Sequence, residues 1–162
     1  MTSPEPVPSR FLEPEMAERL VLLADSFHRL LGRELVHVDG GSPADLVSAL
    51  WYDEAPIVAH GTQADPVFFF ANLAALAAFE STLDQFTSMP SRYSAEAPER
   101  EERQTLLDRV SKHGYADDYR GVRITAKGRK FIITDGIVWN LIDPEGRLHG
   151  QAATFRPEEL DD

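Results

Sequence analysis

The sequence predicts an α+β fold, and three observations support this prediction. Two apolar runs, at residues 56–61 and 66–70, are too short for helices and have the composition of strands. Helical patterns follow as far as residue 114, and three more strand-like runs joined by two tight turns occupy residues 119–155. The 162 residues fit one domain with a single core.

The composition excludes several classes of function. The formal net charge of -11, from 27 acidic and 16 basic residues, repels phosphate backbones and anionic lipid surfaces, so we expect no nucleic-acid or membrane partner. The absence of cysteine excludes disulfides, thiolate nucleophiles and cysteine-ligated metal sites. The chain shows no signal-peptide pattern and no run of about 18 apolar residues, and we therefore expect a cytoplasmic protein.

The first 42 residues are predicted to form an arm and a helical cap. Closely spaced prolines disfavour a helix, so residues 1–13 are expected to be a disordered arm outside the fold. Residues 14–42 are expected to form a cap built on an amphipathic helix, which begins at Pro14 and stops at Gly32. Its apolar stripe consists of Met16, Leu20, Leu23, Phe27, Leu30 and Leu31.

Residues 43–155 are predicted to form the main domain. Its first helix has Ser42 as N-cap, and Asn72 is expected to cap the helix that follows the second strand. A later helix stops at Gly114. The acidic residues 156–162 are expected to form a solvated tail.

The final meander places apolar residues on both faces of the predicted sheet. For its longest strand, we expect one face to carry Phe131, Ile133, Ile137, Trp139 and Leu141, and the opposite face Ile132, Val138 and Ile142. A sheet that is apolar on both faces must be covered twice. The helices between the strands would cover one face, and the N-terminal helix or a second subunit would cover the other.

Two sequence blocks, in this order, resemble a known family. They are "FFFANLAAL" at residues 68–76 and "GVRITAKGRKFIITDGIVWNLIDPEGRLHGQAATF" at residues 121–155, with "MPSRYSAE" between them. They resemble the MEKHLA domain, a PAS-like module known as a bacterial stand-alone protein and as the C-terminal part of plant homeodomain and leucine-zipper transcription factors. The chain looks like the stand-alone form, because neither a homeodomain nor a zipper is present.

The resemblance implies both a fold and a function. The fold would be a PAS-like five-stranded antiparallel sheet with helices on one face and an N-terminal amphipathic helix. The function would be that of a non-catalytic sensory or protein-interaction module, which binds a small ligand between sheet and helices and signals through a partner. The N-terminal helix would be the dimerisation element of a homodimer.

The candidate ligand-binding residues are Phe69, Asn72, Phe79, Arg123, Trp139, Asn140 and Gln151. The aromatic residues would line a cavity between sheet and helices, although the same residues also suit a packed core. For Arg123, Asn140 and Gln151 both orientations are open. If they point inward, an anionic or carbonyl-bearing ligand would satisfy them, and if they point outward they are surface residues.

The resemblance also raises the question of cofactors. Without cysteine, the covalent flavin–cysteine adduct of photosensory PAS proteins cannot form, while non-covalent flavin and haem stay open but disfavoured. His113 is the candidate haem ligand, and the competing interpretation is a favourable contact with a helix dipole. No two histidines lie four residues apart, so we expect no metal site.

The competing hypothesis is a small α+β enzyme of the isomerase or dehydratase type. Such an enzyme would use a buried carboxylate or a histidine as a base. Asp135 is the candidate because it interrupts the apolar fourth strand, although Gly136 beside it indicates a bulge instead. We expect no enzymatic activity.

Overall fold

The computed structural model describes residues 5–94 and 97–160 of the chain. The α-helices in this part are α1 (Pro14–Leu31), α2 (Pro43–Tyr52), α3 (Leu73–Phe79), α4 (Leu83–Phe86) and α5 (Ala97–His113). The strands are β1 (Ile57–His60), β2 (Phe68–Ala71), β3 (Tyr115–Ile124), β4 (Lys130–Ile142) and β5 (Leu148–Glu159). Two short 3₁₀ turns occupy Ser9–Leu12 and Ser91–Ser94.

The five strands form one sheet in the order β2-β1-β5-β4-β3, and every pairing is antiparallel. Strand β1 pairs with β5, so the earliest and latest strands meet in the middle of the sheet. This arrangement confirms the five-stranded antiparallel sheet predicted from the sequence. None of the helices within the described residues is long and apolar enough to cross a membrane.

Helix α1 covers one face of the sheet with its apolar stripe. Pro14 occupies the first turn, and Gly32 ends the helix in the left-handed conformation at φ 75°. Leu20, Leu23 and Phe27 are almost fully buried. The Phe27 ring meets the Trp139 ring edge-on at 4.9 Å, and the Trp139 indole N–H donates to the Leu23 carbonyl at 3.0 Å. The chain therefore covers this face with its own N-terminal helix.

The expected disordered arm at residues 1–13 is wrong for its described part. Ser9–Leu12 form a 3₁₀ turn, and the Phe11 ring is fully buried, 4.9 Å from the Phe70 ring and 5.9 Å from the Trp51 ring. The prolines prevent a helix in this segment, but they do not prevent one aromatic side chain from entering the core. Residues 1–4 lie outside the described residues.

The expected tail at 156–162 is also shorter than predicted. Strand β5 continues to Glu159, where it pairs with Phe131 of β4. Glu158 and Glu159 are exposed, but the backbone hydrogen bonds of the strand do not depend on apolar side chains. The main domain consequently extends beyond the predicted boundary at residue 155, and residues 161–162 lie outside the described residues.

A bulge in β4 exchanges the two faces of this strand. Asp135 has a φ of 50°, and the pairing register with β5 shifts between Thr134 and Ile137. Before the bulge, Phe131 packs with the residues of α3 and α4, whereas after it Trp139 packs against α1. The prediction that Phe131 and Trp139 share one face is wrong, because an extra residue shifts the two-residue alternation of side chains.

Candidate functional site

A cavity lies between the sheet and α5, on the face opposite α1. Its volume is ≈ 50 Å³. Since about 10–15 Å³ of such volume holds one water molecule, the cavity has room for roughly three to five water-sized groups. Apolar side chains form most of its wall: Val58, Phe68, Phe79, Leu106, Leu107, Ile133, Val138 and Phe155.

Two buried arginines face this apolar cavity. Arg103 is 7% exposed, and it lies on the same face of α5 as Leu106 and Val110, which are three and seven residues further along the helix. Arg123 of β3 is 6% exposed. Among the described residues, no acidic side chain forms an ion pair with either guanidinium. Within the described part of the chain, the cavity therefore has an excess of positive charge.

The Arg123 guanidinium is held in place by its own strand. Nη2 donates to the Tyr119 hydroxyl at 2.7 Å, Nη1 donates to the Val122 carbonyl at 2.8 Å, and the guanidinium carbon lies 5.3 Å from the centre of the Tyr119 ring. Gly121 lies between the two side chains, and a Cβ at this position would collide with the Tyr119 hydroxyl. The glycine therefore permits the contact between Tyr119 and Arg123.

Arg123 lies close enough to Arg103 to affect the pKa of Arg103. Burial, together with a smaller contribution from the positive charge of Arg123, lowers this pKa to about 10. Arg103 nevertheless stays protonated at neutral pH. A buried cation without a negative partner is unfavourable in the free protein, and a bound anion would remove part of that cost.

His60, at the end of β1, adds an unpaired hydrogen-bond acceptor. Its Nδ1 lies 3.0 Å from the Gly61 carbonyl, which can only accept, so Nδ1 carries the proton and Nε2 carries the lone pair. Nε2 is buried and has no hydrogen-bond partner within the described part of the chain. Burial lowers the pKa of His60 to about 4, with a smaller contribution from Arg103, so the ring is neutral at pH 7.

A buried amide network fixes α5 on the sheet beside the cavity. The Gln151 side-chain nitrogen donates to the Asn140 amide oxygen at 3.0 Å and to the Ser111 hydroxyl at 3.1 Å. The Asn140 side-chain nitrogen donates to the Val110 carbonyl at 3.0 Å. These bonds connect β4 and β5 to the C-terminal half of α5. A surface cleft of ≈ 420 Å³ lies beside the cavity, and His60, Arg103, Leu107 and Gln151 line both spaces.

The sequence comparison assigns the chain to a family. The family model described as "MEKHLA domain" matches residues 17–158. The chain belongs to the MEKHLA domain family. Its relatives include the homeobox-leucine zipper protein HOX10 of Oryza sativa subsp. indica, with 25% identity over 142 residues, which are 88% of this chain and 17% of that protein. They also include REVOLUTA of Arabidopsis thaliana, with 24% identity over 147 residues, which are 88% of this chain and 18% of that protein.

The matched segment is a small part of these plant proteins, since the chain spans less than a fifth of their length.

Solved structures show the same fold at low sequence identity. A PAS domain from Colwellia psychrerythraea superposes with a TM-score of 0.61 at 14% identity, covering 68% of this chain and 91% of that one. An RNA-binding light-oxygen-voltage receptor superposes with a TM-score of 0.60 at 12% identity, covering 76% of this chain and 37% of that one. The MEKHLA domain of this chain therefore has a PAS-like fold.

Three of the seven predicted ligand residues line the cavity of this MEKHLA domain. They are Phe79, Arg123 and Gln151, so the inward orientation is correct for the arginine and the glutamine. Asn140 is buried beside them and bonds to Gln151. The structure thus brings together one aromatic residue and the three polar strand residues of the prediction.

The other three predicted residues lie elsewhere. Trp139 packs under α1 on the opposite face, because the bulge in β4 turns it away from the cavity. Phe69 lies beneath the Arg19 guanidinium, with the guanidinium carbon 3.8 Å from its ring centre. Asn72 caps α3, as its alternative interpretation predicted. Its side chain accepts from the backbone N–H groups of residues 57 and 75 and donates to the carbonyls of residues 50 and 55.

Two residues that had roles in the competing hypotheses are outside the cavity. The Asp135 side chain is 75% exposed and lies 3.9 Å from Arg156, so the expected burial of this carboxylate is wrong. His113 is exposed at the end of α5 and does not line the cavity, so it does not fit the role of a haem ligand there. The cavity is also far smaller than the several hundred Å³ that larger ligands occupy, so neither haem nor flavin fits it as folded.

Sequence reasoning missed His60 and Arg103. His60 ends a short apolar run, and nothing in that run distinguishes a cavity residue from a packed one. Arg103 did carry a signal, since it falls on the helical face defined by Leu106, Leu107 and Val110. A charged residue on the apolar face of an amphipathic helix is a candidate site residue.

Proposed function

We propose that this MEKHLA domain is a non-catalytic, cytoplasmic sensory module that binds a small ligand between the sheet and α5 and signals through a partner. The observation that carries the proposal is the cavity, which Arg103, Arg123 and His60 line together with apolar side chains. Nε2 of His60 is buried and has no hydrogen-bond partner among the described residues. Buried polar groups without partners cost free energy, and a ligand that supplies the partners would recover it.

Helix α5 is the element best placed to respond to the ligand. A molecule in the cavity would contact α5 and the sheet at the same time, so its binding free energy would depend on the distance between them. Gln151 is hydrogen-bonded to the same helix, since its side-chain nitrogen donates to the Leu107 carbonyl at 3.3 Å. A partner that contacts the outer surface of α5 would thereby detect whether the cavity is occupied.

The partner we propose is a protein. The net charge of -11 disfavours nucleic acids and anionic membranes. A homodimer also remains our prediction, although the apolar stripe of α1 is already used within its own chain. A dimer would therefore form through a different surface from the one predicted.

The enzyme hypothesis is not favoured. Its candidate base, Asp135, is exposed on the bulge. Among the described residues that line the cavity, the ionisable side chains are two arginines, a tyrosine and a histidine. A general base needs a pKa near the working pH, and the lowered pKa of His60, about 4, makes its neutral ring a weak base.

Native mass spectrometry of the freshly purified protein tests this proposal. It reports oligomeric state and retained small molecules in one spectrum. Ala153 of β5 lines the cavity, so Ala153→Met should fill part of it, and Ala126→Met in the exposed turn before β4 is the control. We expect excess mass on the wild type and on the control variant, and its loss from Ala153→Met.

Two results together would contradict the proposal. The wild-type protein would have the mass of the bare chain, and its unfolding midpoint would not rise with any member of a panel of small metabolites. The same spectrum decides the dimer prediction, because the monomer and dimer masses are far apart.

A further inference from the structure

Resting on the proposed function, we infer that the ligand is a small organic carboxylate, held by Arg103 and Arg123 with its apolar part against the wall of the cavity. The carboxylate can be disproved while the proposed function stands, because a small neutral ligand would still make this domain a sensory module.

The charge of the cavity favours an anionic ligand. Both arginine residues are more than nine-tenths buried, and no described acidic side chain pairs with either. Arg123 uses two of its donors within the protein, on Tyr119 and the Val122 carbonyl, and a guanidinium has five. Planar, multiply donating guanidinium groups match the two oxygens of a carboxylate.

The apolar wall of the cavity favours an organic anion over an inorganic one. Phe79, Leu106, Ile133, Val138 and Phe155 surround the charged groups. Inorganic phosphate and sulfate have no apolar surface to place against them, whereas a short-chain carboxylate does. The volume of ≈ 50 Å³ limits the ligand to a few non-hydrogen atoms unless the cavity expands.

The rest of the protein surface disfavours anions. With a net charge of -11, the protein repels anions from its exterior. Nonspecific anion binding is consequently weak, and a saturable response to an anion would report a local concentration of positive charge. The two arginines of the cavity provide such a concentration in the described part of the chain.

The experiment is a titration of the isotope-labelled full chain followed by amide chemical shifts. The probes are propionate, its neutral isostere propionamide, and inorganic phosphate, at constant ionic strength and pH 7. We expect propionate to bind at least tenfold more tightly than either of the other two. The shifted amides should belong to β1, β5 and α5, around the cavity.

Two variants of α5 localise the effect. Arg103→Met should weaken propionate binding at least tenfold, and Arg109→Met, which removes an exposed arginine from the same helix, should leave it unchanged. If Arg103→Met does not fold, the contrast between propionate and propionamide on the wild type still decides the question.

Several results would overturn the inference. Equal binding of propionate and propionamide would retain a small-ligand module but remove the carboxylate. Tighter binding of phosphate would assign an inorganic oxyanion instead. No saturable shift with propionate at 50-fold excess over the protein, or shifts confined to the exposed helix surface, would show that the arginines do not form a carboxylate site.

Discussion

Replacing Arg103 by methionine should make the ligand-free protein more stable. The pKa of Arg103, lowered to about 10, means that the folded protein disfavours the charged form. At about 1.4 kcal/mol for each tenfold change in proton affinity, the penalty is on the order of 3 kcal/mol. The guanidinium is still protonated at pH 7, so the folded state carries this cost while the unfolded chain does not. Methionine has a similar length and no charge.

We expect the free energy of unfolding to rise by about 1–3 kcal/mol, because methionine removes the charge but does not reproduce every packing contact of the arginine side chain. For a chain of this size, such a gain raises the midpoint of thermal unfolding by roughly 2–10 °C. Urea unfolding at pH 7 after extensive dialysis measures the change. Arg109→Met, the exposed control on the same helix, should stay within about 0.5 kcal/mol of the wild type.

A loss of stability by more than about 1 kcal/mol in Arg103→Met would refute this reasoning. It would mean that the guanidinium has a strong negative partner in the free protein, since removal of one member of a buried ion pair is destabilising. The cavity would then have no excess positive charge, and the proposed carboxylate site would lose its basis.

Three further predictions concern pH and packing. Because the pKa of His60 in the folded protein is about 4, the unfolded chain binds more protons than the folded protein between about pH 6.5 and 4. As the pH falls through this window, the free energy of unfolding should decrease by up to about 3 kcal/mol more in the wild type than in His60→Gln. The same dependence of urea unfolding on pH in both proteins would contradict the assignment. Phe11→Ala should cost about 3–5 kcal/mol, which the same assay measures, whereas a disordered segment would tolerate the change. Asn72→Ala removes four hydrogen bonds of a fully buried side chain and should cost at least about 2 kcal/mol, and a loss under about 0.5 kcal/mol would show that water replaces the amide.

The elements of the fold could largely be predicted from local signals in the sequence. Ser42 and Asn72 cap the helices that they were expected to cap, and Gly32 and Gly114 end theirs. Such signals act over a few residues and need no knowledge of the tertiary structure. The five strands followed from the same kind of evidence together with the order of elements.

The faces of the strands were harder to predict. The alternation of side chains holds only while no extra residue intervenes, and the bulge at Asp135 moved Trp139 to the opposite face. Gly136 did indicate the bulge, but the sequence could not show which half of β4 faced which layer. Arg123, Asn140 and Gln151 were recognised as polar residues in apolar strands, and all three are buried in the structure.

The residues missed altogether depend on long-range packing. Phe11 enters the core because Trp51 and Phe70 leave a space for it, and these partners are about 40 and 60 residues away along the chain. His60 and Arg103 come together only when α5 packs on the sheet. Local patterns carry no information about such pairs, so the polar part of the site required the structure.

The most direct test of the carboxylate site is a high-resolution crystal structure of the protein, purified without added ligand and then soaked in propionate. We expect non-protein density between the Arg103 and Arg123 guanidiniums, with carboxylate oxygens within hydrogen-bond distance of both and the apolar end toward Val138. Guanidiniums paired with acidic side chains of the chain itself, and protein atoms filling the space between the sheet and α5, would contradict it.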